Sequence, residues 1–461
     1  METSLHQTAK TVWHKSKWLV KGGIIGLIAL LLLIPTEYVT NLIFEREKRQ
    51  MEAAYDITSK WAGPQNLIGP VIVIPYWKTE SDTANKTYQT KHLAYFLPNE
   101  LNITATVNPK EKHRGIYKVM LYDSKIEMKG KFDSLAYEKL NITPDKLILG
   151  EAYVLFSVAD NKGLNDEVRF SWNDQQLELA PHADNETGMT VPLKLNSTDE
   201  LKNIQFSASL DMNGSEQLFF TPLGRSTSVT VNSPWKDPSF SGSMLPQKTD
   251  VTDKGFSATW RSMAHRRDFP QQWTDAAFTF EHYFPHTPTA EETEANRGKV
   301  IDTHVKSVAA SSFGVNLFIP VNGYQKTLRT VKYALLCILL TFTAFFLIET
   351  AHKKSVHPFQ YGLVGLALVL FYTLLLSFSE YTGFNSAYGI ATIATIGLIG
   401  WFAKSVLQSG KATTILSVTL ALIYSYIFSL LQLEDYSLLL GSIGLFLALA
   451  VVMHFSRKLQ W

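Results

Sequence analysis

The sequence predicts an α+β membrane protein, with one transmembrane helix near the N-terminus, a large mainly β extracytoplasmic domain, and five more helices in the last third. Three observations predict this. An apolar run lies near the N-terminus, residues from about 331 to 456 are nearly all apolar, and the polar stretch between them alternates in short runs bounded by turn residues. The mean hydropathy of +0.00 averages two unlike parts of the chain.

The first helix is expected over Trp18–Tyr38, behind a cytoplasmic tail at 1–17. A hydrocarbon core about 30 Å thick needs about 20 helical residues at 1.5 Å each. Lys21 lies one turn inside, where a long side chain is expected to snorkel to the interface. A cleaved signal peptide is the competing reading. The following PTEYVTNLIFEREKRQ offers no small-x-small cleavage site and reads as a helix running on into water as a stalk, so an uncleaved anchor is expected.

Between about 45 and 325 the runs VIVIPYW (71–77), LAYFLP (93–98), GIYKVMLYDSKIEMKGKF (115–132), AYVLFSVAD (152–160), TSVTVNS (227–233) and GFSATW (255–260) alternate between clusters of Asn, Asp, Gly and Pro. That pattern predicts antiparallel strands in a sandwich or an elongated sheet. A seam between subdomains is placeable near Ser197–Lys202, where polar residues accumulate.

The bundle, 330–456, divides into Thr330–Ala351, Phe359–Phe378, Ala387–Ala403, Ala412–Leu433 and Tyr436–Phe455, followed by a tail at 457–461. In lipid each segment must satisfy its own backbone, so these are helices. Orientation follows from Lys and Arg near the helix ends. Lys10, Lys15, Lys17 and Lys21, then Lys353 and Lys354, Lys404 and Lys411, and Arg457 and Lys458 fall on one side. The alternate loops carry Glu380, Glu434 and Asp435 and no Lys or Arg. Six spans with both termini in the cytoplasm satisfy the whole pattern. Gly362 with Gly365, Gly397 with Gly400, and Gly441 with Gly444 are expected to let helices approach closely.

A net charge of +2 and the lack of a basic block exclude nucleic acid as an expected partner. The one cysteine, Cys337, falls inside a span, so the polar domain must be held by its own core. No phosphate-cradling Gly-rich loop, His-Glu-x-x-His helix or Gly-x-Ser-x-Gly elbow occurs. The sequence EHYFPH brings Glu281, His282 and His286 close together, but Pro285 breaks the helix that would align the two histidines, and an aromatic surface loop is expected instead of a metal site. No cofactor and no metal are expected. Trp77, Trp235 and Trp273 are candidates for a contact patch, although most tryptophans serve the core. Glu349, at the inner end of the second span near His352 and His357, and Glu380, at the outer end of the third, are the acidic candidates within the bundle. Their edge positions predict solvation by water and headgroups, as anchors or caps.

The stretch KYALLCILLTFTAFFLIET, with VHPFQYGLVGLALVLFYTLLLSFSEYTGF after it, closely resembles the CreD family of bacterial inner-membrane proteins. PQNLIGPVIVIPY, PSFSGSMLP with GFSATW, and FGVNLFIPVNGYQKTLRTVKYALL are similar to the same family, so the resemblance covers nearly the whole chain after about residue 30. It implies a Gram-negative inner-membrane protein in which the inserted domain is periplasmic. It also implies a link to cell-envelope integrity, colicin tolerance and a regulon under a two-component system. The family has no accepted catalytic residues to carry over.

Two functional readings follow. The first is non-enzymatic: the bilayer anchors a periplasmic domain that binds another envelope protein, glycan or lipid. The second is a permease or lipid-handling protein with Glu349, His357, Tyr361 and Glu380 lining a path between helices.

Overall fold

The computed structural model describes residues 20–81, 86–166, 168–181, 188–282, 284, 306–317, 323–352, 355–433 and 437–456. The chain divides into two compact units, Met1–Glu52 with Val321–Trp461, and Ala53–Pro320.

Among the described residues, five helices are long and apolar enough to cross a membrane. They are α1 (Val20–Trp61), α3 (Ala334–Ala351), α4 (Pro358–Thr382), α5 (Phe384–Leu407) and α6 (Gly410–Gln432). The short α2 (Gly323–Lys332) precedes α3, and α7 (Ser437–Ser456) follows α6. In α1 the apolar run and the charged stalk form one helix. Pro35 offers no N–H to the carbonyl of Leu31, and a turn marks Leu32. The bonds from Leu32 N–H to Ile28 and from Thr36 N–H to Leu32, 3.0 and 3.3 Å, carry the helix past it. The expected span Thr330–Ala351 begins differently, because α2 and α3 meet at Tyr333, where φ is −90° and ψ is 5°. In α2 one face is buried through Tyr324, Thr327, Thr330 and Val331, while Arg329 and Lys332 occupy its last turn.

Within the bundle α4 packs on α5, α5 on α6, and α3 on both α4 and α6. One glycine of each expected pair makes a close contact. A Cβ on Gly365 would meet Leu32 of α1 and Phe342 of α3; on Gly400 it would meet Ser417; on Gly444 it would meet Tyr426. Gly362, Gly397 and Gly441 face open space. Of the charges that set the expected orientation, Lys10, Lys15, Lys17, Lys353, Lys354, Glu434, Asp435, Arg457 and Lys458 lie outside the described residues.

The second unit is built on two large sheets, with strands numbered β1 to β19 in chain order. One sheet has eight strands in the order β14 (Lys248–Thr252), β15 (Gly255–Met263), β12 (Ser226–Ser233), β3 (Glu100–Arg114), β4 (Tyr117–Ser134), β10 (Lys202–Ser215), β6 (Arg169–Trp172) and β7 (Gln175–Leu177). The other runs β13 (Ser239–Gly242), β19 (Phe313–Asn316), β11 (Gln217–Phe220), β1 (Gln65–Ser81), β5 (Tyr153–Val158), β9 (Gly188–Pro192) and β8 (Ala180–Pro181). Its β2 (Thr87–Phe96) pairs with β1, and β16 (Gln272–Thr274) pairs with β2. A small pair, β17 (Phe278–Thr279) with β18 (Lys306–Ser307), stands apart.

Strand β10 buries Ile204, Phe206, Ala208, Leu210 and Met212 and turns alternate residues outward, the signature of a sheet with one face on the core. Strand β1 is buried on both faces over its first twelve residues and belongs to one core shared by both sheets, which Phe269, Trp273, Phe278 and Phe280 join. Trp273 stacks on Tyr95 with ring centroids 5.4 Å apart. Trp273 is therefore a core residue and Trp235 half-buried, while Trp77 stays exposed. The expected seam at Ser197–Lys202 is a short 3-10 turn, Thr198–Leu201, with a capping box from Ser197 and Glu200 that starts β10.

Candidate functional site

Each end of the bundle gathers a carboxylate, a cation from α1 and a tyrosine. At the first end, Glu349 lies two residues before the close of α3 and is fully buried. The Lys21 ammonium at the start of α1 pairs with its Oε1. The Tyr361 hydroxyl on the first turns of α4 donates to Oε2 at 2.6 Å, and the Val356 N–H donates to Oε1 at 2.9 Å. Phe342 and Phe345 of α3 meet the Tyr361 ring edge-on at 5.6 and 5.0 Å, which fixes its hydroxyl. The Lys21 ammonium also stands 5.9 Å from that ring's centroid. The solvated anchor expected at Glu349 is thus a buried, charge-paired carboxylate, and Lys21 points to it instead of snorkelling. A lone carboxylate cannot leave water cheaply, so both expectations change together once the partner is present.

At the second end, near the close of α4, Glu380 accepts from the Tyr324 hydroxyl of α2 at 3.0 Å, and the Arg46 Nε of α1 lies 3.9 Å from the same oxygen. Glu380 is also largely shielded, with a side chain 9% exposed. Tyr361 and Glu380 lie nineteen residues apart on one helix, about 28 Å at 1.5 Å per residue. That is close to the thickness of a hydrocarbon core.

The structure therefore brings together Glu349 and Tyr361 and sets Glu380 in a separate cluster. His357 belongs to neither set of bonds. It caps α4, its Nδ1 accepting from the Phe359 N–H at 3.2 Å while Gln360 accepts from its own N–H at 3.0 Å. Between the ends, the Cys337 thiol of α3 sits fully buried within reach of the hydroxyls of Thr341, Tyr372 and Tyr424, and the Tyr388 hydroxyl donates to the Tyr424 carbonyl at 2.8 Å.

Arg46, Tyr324 and the tyrosines around Cys337 carry no signal in the sequence, and the pairing of Lys21 with Glu349 was missed. Lys21 carried a usable signal, as the single charge in the apolar run from Trp18 to Thr36.

In the second unit, Glu281 and His282 do not converge as ligands. His282 Nε2 lies 2.8 Å from the Ser157 hydroxyl of β5, and its burial pushes the imidazole down to about 4. His286 lies outside the described residues. His92 joins three elements: its Nδ1 is 2.9 Å from Asp275, and its Nε2 is 2.9 Å from Thr90 and 3.4 Å from Glu80. Among the described residues no group of three His, Cys, Asp or Glu is placed to hold a metal. Where the two sheets part, a cleft of about 570 Å³ opens between β6–β7 and β8–β9. Leu164, Val168, Leu177, Leu179 and Met189 line it, with Arg169 and Glu178 adding charge.

A membrane-embedded helix bundle with an inserted β sandwich, pinned to one helix at both ends by carboxylate clusters, defines a polytopic α+β membrane protein. A model of the CreD family, described as Inner membrane protein CreD, matches residues 17–461. The chain is also 32% identical over 440 residues to Inner membrane protein CreD of Escherichia coli (strain K12), covering 94% of this chain and 91% of that protein. The chain belongs to the CreD family of inner-membrane proteins.

Proposed function

We propose that the protein is a non-enzymatic component of the bacterial envelope, oriented with both termini in the cytoplasm and residues about 45–325 in the periplasm. Its β unit binds another envelope component and thereby supports envelope integrity or the response to envelope stress. The orientation rests on the Lys and Arg distribution of the loops, and the physiological theme rests on the family resemblance. The observation that carries the binding role is the cleft between β6–β7 and β8–β9. It presents apolar side chains flanked by both signs of charge in a volume of about 570 Å³, the character of a ligand pocket.

The test places a photo-crosslinking residue at Gln176 or Leu179 in the full-length protein in intact cells, with Thr104, on the polar face of β3, as the control. Expected is one envelope protein, glycan or lipid captured from the cleft positions and absent from Thr104. Equal capture at all three positions rejects the reading.

A further inference from the structure

The β unit is inserted in the membrane unit, so two segments connect them: α1, leading out past Glu52, and α2, returning after Val321. The Glu380 side chain touches both. Glu380 Oε1 accepts from Tyr324, in the first turn of α2, and faces Arg46 of α1, six residues before that boundary. Tyr324 is buried, so its hydroxyl is held and not swept through solvent. The rest of α1 is fixed elsewhere, by Leu32 against Gly365 and by Lys21 on Glu349. Of these ties, the one at Glu380 is shared with the returning segment.

We propose that Glu380 is a clamp that couples the two connecting segments: loosening either one at the carboxylate loosens the other. The physical reason is that a single oxygen serves both. Arg46 keeps the carboxylate aimed, and a charged acceptor held in place bonds the Tyr324 hydroxyl more strongly than a displaced one. Removing Arg46 leaves the shielded carboxylate without that cation, so it turns toward water and loosens its hold on Tyr324. Removing the Tyr324 hydroxyl lets the carboxylate swing and weakens its hold on α1. A load or a partner acting on one segment is thereby passed to the other and to α4. The inference goes beyond the binding role and does not depend on the β unit having a ligand.

Amide hydrogen exchange of the full-length protein in lipid nanodiscs tests it, with each substitution read on the segment it does not touch. Arg46→Met is expected to speed exchange across residues 324–329 by about tenfold or more, the scale of one hydrogen bond to a charged group. Tyr324→Phe is expected to do the same across residues 43–49, and Tyr361→Phe, at the opposite end, to change neither. Glu380→Gln is expected to speed both segments together. Effects confined to the substituted segment overturn the clamp. If Glu380→Gln does not fold, the Arg46 and Tyr324 variants decide the matter alone.

Discussion

Lys21 and Glu349 form a buried ion pair whose two halves are unequal, and that inequality sets a measurable asymmetry. Glu349 is fully buried, whereas 15% of the Lys21 side chain reaches the surface. Lys21→Met therefore strands a carboxylate, relieved among the described residues by Tyr361 and the Val356 N–H, and is expected to cost about 3–5 kcal/mol, the range for breaking a buried pair. Glu349→Leu leaves an ammonium that can swing outward, and about 1–3 kcal/mol is expected. Combining Lys21→Met with Glu349→Leu removes both charges and both desolvation penalties. The double variant is expected within about 1 kcal/mol of the parent or more stable, since apolar replacements of buried pairs are often neutral or better. The assay is equilibrium unfolding of the full-length protein in mixed micelles, read as a double-mutant cycle. Additive single costs, with coupling below about 0.5 kcal/mol, would refute the pairing and the account of how α1 is held.

Two further outcomes are expected. His282 is neutral when folded down to about pH 4, while an unfolded chain takes up the proton near 6.5. Its contribution is thus fully present above pH 6.5 and lost as pH falls from 6.5 toward 4, by up to about 3 kcal/mol. Tryptophan-monitored melts across that range should lose the corresponding slope in His282→Gln; an unchanged slope would assign it to other groups. Gly365→Val places a side chain where Leu32 and Phe342 already sit, and overpacking of that kind costs about 1–3 kcal/mol. Leu32→Ala in the same chain should recover part of the loss, and Gly362→Val, which faces open space, should cost little.

The bundle was legible because span length is a strong physical constraint: the expected Phe359–Phe378 lies within α4, which runs four residues further, and the expected Ala412–Leu433 matches α6 to within two residues at each end. Strands with bulky β-branched runs, such as β1 and β12, were legible for the same kind of reason. Two of the longest, β3 and β10, were not. Their inward residues include small Ala105 and Ala208, set between Asn, Thr and Ser that also suit turns, and β10 opens at the polar stretch read as a seam. The burial of Glu349 was hidden because depth was argued for one residue at a time. Its partner lies 328 residues away, and a charge looks solvated until the opposite charge at the same depth is known. The glycine pairs showed where helices meet, but sequence cannot say which member of each pair faces a neighbour.

The order of strands in the smaller-numbered ends of the sandwich also governs when it can form. β1, at the start of the unit, lies parallel to β11, and β11 is flanked on its other side by β19, at the unit's end. The central sheet is therefore unfinished until residue 316 has arrived, and its early strands must wait beside a vacant neighbour while some two hundred and fifty residues emerge, as 65 and 316 bracket them. Such long-range closure is slow. A nascent chain stalled short of Phe313 would expose the unpaired flank of β11, an open edge available for wrong pairing.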